Sequence, residues 1–325
     1  MAKTLKLVAL VAAGFLGSVG SATAADDVSL RLNWVLGGLH TPFYLGAERG
    51  YYEDEGINIT INEGRGSGRA VQIMAAKGDT FAMADAGSLM LGAAKGAPVK
   101  AVMSLLNTSG FGVISLSDAG ITSVKDLEGK KLAVSPGDAL TQLFPAVVSA
   151  NELDEDKISL VFMDPAAKPV AVMEREADAL LGGIDDQPFL IQAQGFETAE
   201  LRFADIGVNT VGITVLTHED VLDENPDLVR RFIKASVRSW EAALEDPAAA
   251  VEAAAKIKPD LNREATLKQL EVDLGLLFSP NTEGKGLGFG ASEDWQHTKE
   301  LLTAYRGLET DREATSFFTN EFLPQ

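Results

Sequence analysis

The chain has 325 residues, no cysteine, and 28 basic against 47 acidic side chains, for a formal net charge of −19. That balance excludes a nucleic-acid or anionic-lipid binder working by charge neutralisation. The lack of cysteine excludes disulfides, thiolate metal sites and a lipidated cysteine. A hydrophobic content of 46% excludes a disordered chain, and the length exceeds what one core usually holds, so two lobes are expected.

In chain order, Lys3 and Lys6 precede an apolar run over residues 7–16, and Ala22-Thr23-Ala24 supplies an A-x-A site. Residues 1–24 therefore read as a cleavable secretory signal, with an apolar run too short to span a bilayer. Its removal takes the net charge to −21 and leaves an exported chain, periplasmic in a two-membraned bacterium. Strand patterns follow at 28–34, 57–62, 81–85, 99–106, 111–116, 131–135, 159–163, 179–182 and 212–217. Helical patterns lie between them at 41–50, 68–77, 88–95, 140–151, 167–175 and 187–194. The alternation predicts an α/β fold of mostly parallel sheets covered by helices. Beyond Thr217 the pattern is helical, over 227–244, 247–256, 262–278, 291–305 and 312–318. No flexible linker is present, so the lobes are expected to join through ordered crossings near 107–110 and 208–211. Residues 26–110 with 211–325 then form lobe one and 111–210 form lobe two, with a hinge and a cleft between them.

Ligands in open α/β sheets sit beyond the carboxyl ends of strands. Asn33, Trp34, His40 and Tyr44 gather at the end of the first predicted strand, where an indole face, an imidazole and a phenol suit a small-molecule pocket. Trp34, Phe43 and Tyr44 read alternatively as core aromatics. Asp85 ends another strand and Ser88 opens the next helix; the carboxylate either accepts from an amine or caps the helix. In Ser135-Pro136-Gly137-Asp138, Gly137 offers a backbone N–H to a ligand and Asp138 reads as a cap. Asp185 and Asp186 occupy the equivalent strand end in lobe two. Several carboxylates inside a closing cleft require a cationic or amine-rich ligand, because unpaired buried charge is costly. A competing anion site is offered by Arg65, Ser67 and Arg69 within the Gly-rich run 64–69, at a helix start. That run lacks the Lys-Ser/Thr ending of a nucleotide loop. No H-E-x-x-H or G-x-S-x-G motif occurs, and with three scattered histidines no catalytic triad, metal site or cofactor is expected.

Leu32-Asn33-Trp34, His40, the run from Phe43 to Tyr52 and Glu55-Gly56-Ile57 resemble the opening of the NMT1/THI5-like solute-binding proteins of ABC importers. Residues 70–79, 96–99, 123–134 and 177–179 extend the similarity, which covers roughly residues 29–244. The resemblance implies a two-lobed type II periplasmic binding-protein fold, a monomer that captures a small molecule and delivers it to a membrane ABC permease. Trp34 followed by His40 is most similar to the thiamine-precursor branch, in which a Trp stacks on a pyrimidine-type ring. Gly182-Gly183 followed by Asp185 resembles the point where that branch places a carboxylate against the amino-pyrimidine. The preferred ligand is accordingly an aminopyrimidine-type heterocycle. An alkanesulfonate or taurine-like anion at Arg65–Arg69 is the alternative. A pyrimidine synthase on the same fold is a third reading, against which the absence of the synthases' Cys-rich motif counts.

Overall fold

In the computed structural model, which describes residues 25–136 and 138–324, the strand β1 (Asp26–Arg31) buries Val28 and Leu30 on one face. Residues 1–24, read as the signal, and Gly137 lie outside the described residues. The chain continues through α1 (Thr41–Glu48), α2 (Tyr51–Asp54), β2 (Ile57–Asn62), α3 (Ser67–Ala75), β3 (Phe81–Asp85), α4 (Ala86–Ala94) and β4 (Val99–Ser104). A second series follows: β5 (Phe111–Leu116), β6 (Lys131–Val134), α5 (Ala139–Ala150), β7 (Ser159–Phe162), α6 (Lys168–Met173), β8 (Ala179–Gly183), α7 (Gln187–Gln192) and β9 (Thr198–Arg202). The return is β10 (Ile213–His218), and then α8 (Glu219–Glu224), α9 (Pro226–Glu245), α10 (Pro247–Ile257), α11 (Arg263–Leu274) and α12 (Ser292–Tyr305).

The strands form two five-stranded sheets, ordered β2-β1-β3-β10-β4 and β7-β6-β8-β5-β9. In each, four strands run one way and one is reversed, β10 in the first and β5 in the second. The reversed strands are those that follow a passage between the sheets, so each carries the chain in the opposite sense to its neighbours. The α/β class and the two-lobed arrangement expected from the sequence are thus observed.

The first lobe is held by α9, whose buried positions Val229, Phe232, Ile233, Ser236, Trp240 and Ala243 follow helical spacing. Phe232 stacks on Phe81 of β3 with ring centroids 3.8 Å apart, and Trp240 meets Phe43 of α1 edge-on at 6.0 Å. Phe43 and Tyr44 therefore belong to the core, at 0% and 8% exposure, whereas Trp34 is 54% exposed. In the second lobe α5 buries Leu143, Phe144 and Val147 under β5, β6 and β8.

Several boundaries differ from the sequence expectation. The first strand ends at Arg31, and residues beyond Leu32 bend away after Leu32 N donates to Asn62 O. A 3-10 turn (Gly38–His40) precedes α1. The strand β9 and the short helix α8 carry no clear sequence signal; β9 has five residues and only one aliphatic side chain beyond alanine, too little for a period-two pattern. The helix expected over 312–318 is a single 3-10 turn (Ala314–Ser316), because Phe318 instead pairs with Ala101 beside β4.

The chain passes between the sheets after β4 and again after β9, and the two passages are bonded to each other. Leu106 N donates to Ile213 O and Gly212 N to Leu106 O, both at 2.8 Å, and Ser109 N donates to Asn209 Oδ1 at 3.0 Å. A Cβ on Gly212 would lie 2.9 Å from Thr108 O, so a side chain would force the passages apart. Asn107 Nδ2 faces the carbonyls of Ser104, Leu277 and Phe289, which fixes the segment after α11 to the first passage.

The 3-10 turn before α1 sits directly on α11, where a Cβ on Gly38 would lie 2.3 Å from Leu270 N. Backbone cannot swing aside as a flexible side chain can. Gly38→Ala is expected to cost about 1–3 kcal/mol and to lower the calorimetric melting temperature by several degrees; unchanged melting would show that the contact is slack.

Candidate functional site

A cavity of about 260 Å³ lies between the lobes, at the carboxyl ends of β1 and β3 on one side and of β8 on the other. Leu39, Leu106, Phe111, Ile213 and Leu276 give it apolar walls, and the two interlobe passages form its back through Ser109, Gly110 and Gly212. Its polar groups are Asn33, Ser67, Asp85, Asp185 and Asp273.

Asn33 is set in place from behind. His40 is 3% exposed; its Nδ1 accepts from Gly37 N at 3.1 Å, which leaves Nε2 protonated and donating to Asn33 Oδ1 at 2.9 Å. Burial drives the imidazole pKa down to about 4, so it is neutral at physiological pH. Both ring nitrogens are thus committed inside the protein. His40 does not line the cavity as the sequence reading expects; it orients Asn33, whose amide N–H groups remain for a ligand. The loop is further pinned by Gly66 N donating to Asn33 O at 2.7 Å and Gly64 N to Trp34 O at 2.9 Å.

Asp85 caps α4, accepting from Ser88 N at 2.8 Å, and its side chain also lines the cavity. Asp185 reaches in from the turn after β8. A Cβ on Gly183 would lie 2.5 Å from its Oδ1, so that glycine makes room for the carboxylate. Burial, reinforced by the neighbouring Asp186, pushes the Asp185 pKa up to about 6. Asp273 faces it from α11. It is 1% exposed, neither carboxyl oxygen has a hydrogen-bond partner among the described residues, and burial followed by the Asp185 charge drives its pKa well above the usual carboxylate range. Sequence reasoning passes over Asp273 as one acid on a solvated helix. Its signal is the spacing Thr266, Leu270, Asp273, the inward row of α11.

Other expected contacts lie elsewhere. Tyr44 is in the first-lobe core, where burial and then Glu63 raise its pKa to about 12. Asp186 accepts from Gln187 Nε2 at 3.0 Å and does not line the cavity. Ser88 lines a separate groove between α3 and α4. Asp138 caps α5, accepting from Thr141 N at 2.6 Å, beside Lys168 Nζ at 3.7 Å. Gly137 lies outside the described residues. The alternative anion site is not assembled: Arg65 and Arg69 are exposed, Ser67 Oγ accepts from Asp85 N at 3.1 Å, and the amides of Gly64 and Gly66 are already bonded. Among the described residues no group of three or more His, Asp or Glu is placed to hold a metal ion. No described helix is long and apolar enough to cross a membrane.

Comparison with known proteins adds an independent line. A model of the family described as NMT1/THI5 like matches residues 38–250. The riboflavin-binding protein RibY of Chloroflexus aurantiacus is 28% identical over 309 residues, covering 92% of this chain and 86% of its own. A formylaminopyrimidine-binding protein of Halalkalibacterium halodurans is 23% identical over 329 residues, covering 98% and 99%. A 4-amino-5-hydroxymethyl-2-methylpyrimidine phosphate synthase of Legionella pneumophila is 25% identical over 309 residues, covering 91% and 92%. Among solved structures, the periplasmic aliphatic sulphonate binding protein SsuA of Escherichia coli superposes with a TM-score of 0.70 at 14% identity, over 90% of this chain and 97% of that one. The fold is therefore that of the periplasmic binding proteins.

The two displaced titrations act on stability in opposite senses. His40, at about 4 in the folded chain against 6.5 for a freely solvated imidazole, makes the unfolded chain the better proton acceptor between those values. It therefore removes up to about 3 kcal/mol of stability as the pH falls from 6.5 to 4. Asp185, raised to about 6 from 3.8, takes up its proton first in the folded state and adds stability as the pH falls through 6. Asp185→Asn is expected to lose melting temperature more steeply than wild type between pH 6.5 and 4; parallel profiles would refute the assignment.

Proposed function

The chain belongs to the NMT1/THI5-like family, and on that premise we propose that it is the solute-binding component of an ABC importer, exported through residues 1–24 to the periplasm, that closes on a small nitrogenous heterocycle of the aminopyrimidine type. The observation that carries this reading is the cavity itself: among the described residues that line it are Asp85, Asp185 and Asp273 and no lysine, arginine or histidine. Such a lining repels anions and rewards a ligand rich in N–H donors. The apolar walls suit the faces of a flat ring, and a cavity of about 260 Å³, just below the ~300 Å³ at which drug-sized pockets begin, suits a single substituted ring. Two relatives carry names for binding heterocycles of this general kind, a flavin and an aminopyrimidine, which supports the same class.

In the mechanism that follows, residues 26–110 and 211–325 make the first lobe and receive the ligand against Asn33. The second lobe, 111–210, then rotates about the paired passages and brings Asp185 onto it. Closure excludes water from the carboxylates and presents the joined lobe surfaces to the permease. Trp34, next to Asn33 in the chain and exposed, lies outside the cavity lining, and in this reading its indole supplies a stacking face once the lobes close.

A second reading, synthesis of a pyrimidine, is favoured by the synthase name that several relatives carry. It requires a lysine to hold a carbonyl cofactor and a general base in the cleft, and the cavity lining contains no lysine. Incubation with candidate substrates separates the two: a binder returns the ligand unchanged at one per chain.

Calorimetric titration of the mature chain with formylaminopyrimidine, riboflavin and MOPS is expected to give saturable binding of a heterocycle and none of the sulfonate. Trp34→Ala is expected to weaken that binding at least about tenfold, near 1.4 kcal/mol, with an unchanged melting temperature. A large loss of stability would make Trp34 structural, and tight sulfonate binding would overturn the ligand class.

A further inference from the structure

Asp273 is buried at a place where the protein offers it nothing. It follows Thr266 and Leu270 on the inward row of α11, at 1% exposure, and its two carboxyl oxygens have no hydrogen-bond partner among the described residues. The charged groups facing the cavity do not relieve it. Asp185 stands across the cleft from the second lobe, and Asp85 lines the same space at the end of β3. Two cations interact with other acids and not with Asp273: Lys168 donates to Leu181 O at 2.6 Å beside Asp138, and Arg306, which feels Asp85 and Asp138, donates to Gln142 Oε1 at 2.9 Å. A carboxylate left in this state costs several kcal/mol on general grounds and takes up a proton instead.

A carboxylic acid differs from a carboxylate in what it can read. It carries one O–H donor beside one carbonyl acceptor, whereas the carboxylate only accepts. That adjacent pair is the complement of an amidine edge, in which a ring nitrogen accepts beside an exocyclic N–H. It equally complements a lactam edge, in which a ring N–H donates beside a carbonyl. The cavity's apolar walls would hold the ring of such a ligand with its edge toward α11, and Asn33 and Asp185 remain for its other polar atoms.

We propose that Asp273 is a specificity-determining ligand contact that, as the neutral acid, pairs through two hydrogen bonds with an adjacent donor–acceptor edge of an uncharged heterocycle. The inference rests on the heterocycle reading above and names the ligand edge that the site selects. It differs from a charge-pairing role, in which the same residue would select a cationic ligand.

The two roles separate in a substitution pair. An asparagine offers one N–H and one carbonyl in nearly the same shape as the acid, whereas leucine offers neither. Titration of wild type, Asp273→Asn and Asp273→Leu with formylaminopyrimidine and riboflavin is expected to leave the Asn variant within about threefold of wild type and to weaken the Leu variant more than about tenfold, since a site built for paired hydrogen bonds discriminates steeply. Equal loss in both variants means the charged carboxylate is what binds, and no loss in either removes Asp273 from the site; each result overturns the proposal. Both variants are expected to melt no lower than wild type, because each removes an uncompensated buried acid; a lower melting temperature in both would make the carboxyl structural and overturn it. Infrared spectra of the ligand-free chain at pH 7 are expected to show a protonated-carboxyl band that Asp273→Asn lacks. Absence of that band overturns the inference while the heterocycle reading stands. A wild-type chain that binds neither probe instead overturns the heterocycle reading, and this inference falls with it.

Discussion

Two stretches of backbone, one leaving the first sheet and one returning, are hydrogen-bonded to each other through Leu106, Gly212 and Ile213, and the rest of the molecule depends on that pairing. It fixes the distance between two sheets that share no strand. It reverses β5 and β10 within otherwise parallel sheets, which brings the carboxyl ends of β1, β3 and β8 to face one another. It also forms the rear wall of the cavity, so whatever bends the passages reshapes the site. The clamp from Asn107 to the segment after α11 ties the helix carrying Asp273 to the same pivot.

The cleft's chemistry follows from an arrangement that is costly for the empty protein. Asp185 and Asp273 are brought together by opposite lobes with no counter-ion between them among the described residues, while Arg306 and Lys168 bond to other groups. Natural chains commonly accept such local destabilisation at sites that bind. Behind this the protein is firmly packed: the Phe81–Phe232 stack and the Phe43–Trp240 contact anchor α9 and α1 under the sheet edge from which Asn33 emerges. A rigid lobe that presents one oriented amide and an opposing lobe that brings an acid make a cleft whose closure a donor-bearing ligand can favour.

How much of this is legible in the sequence depends on whether a signal is local. The alternation of strand and helix patterns foretells the two-lobed α/β fold, and the polar stretches at 107–110 and 208–211 lie in the segments between β4 and β5 and between β9 and β10. Asp85 and Asp185 are visible because one ends a short apolar strand and the other stands in the turn just after one, where ligands collect in this architecture. Arg65 and Arg69 mislead because a Gly-rich run at a helix start has the composition of an anion nest, while the amides of Gly64 and Gly66 are already engaged by the loop at 33–34. His40 reads as a ligand contact because nothing local reveals that Asn33 and Gly37 occupy both ring nitrogens. Asp273 escapes notice for a related reason. In a chain with 47 acidic residues, one more acid on a helix carries no weight until tertiary structure turns its row inward. The strand β9 shows no apolar alternation because, at the sheet edge, none of its five residues is fully buried and only Leu201 is a large aliphatic.

The chain has three tryptophans, and their environments differ completely. Trp240 and Trp295 are at 0% exposure, the first in the core under the first sheet and the second stacked on Phe318, while Trp34, next in the chain to the cavity residue Asn33, is largely exposed. A water-soluble collisional quencher therefore reaches one indole and leaves two dark to it. The protein thus carries its own optical gauge of the loop that holds Asn33: the quenchable, red-shifted fraction of its fluorescence comes from Trp34, and the protected fraction is an internal standard that reports only on whether the chain is folded.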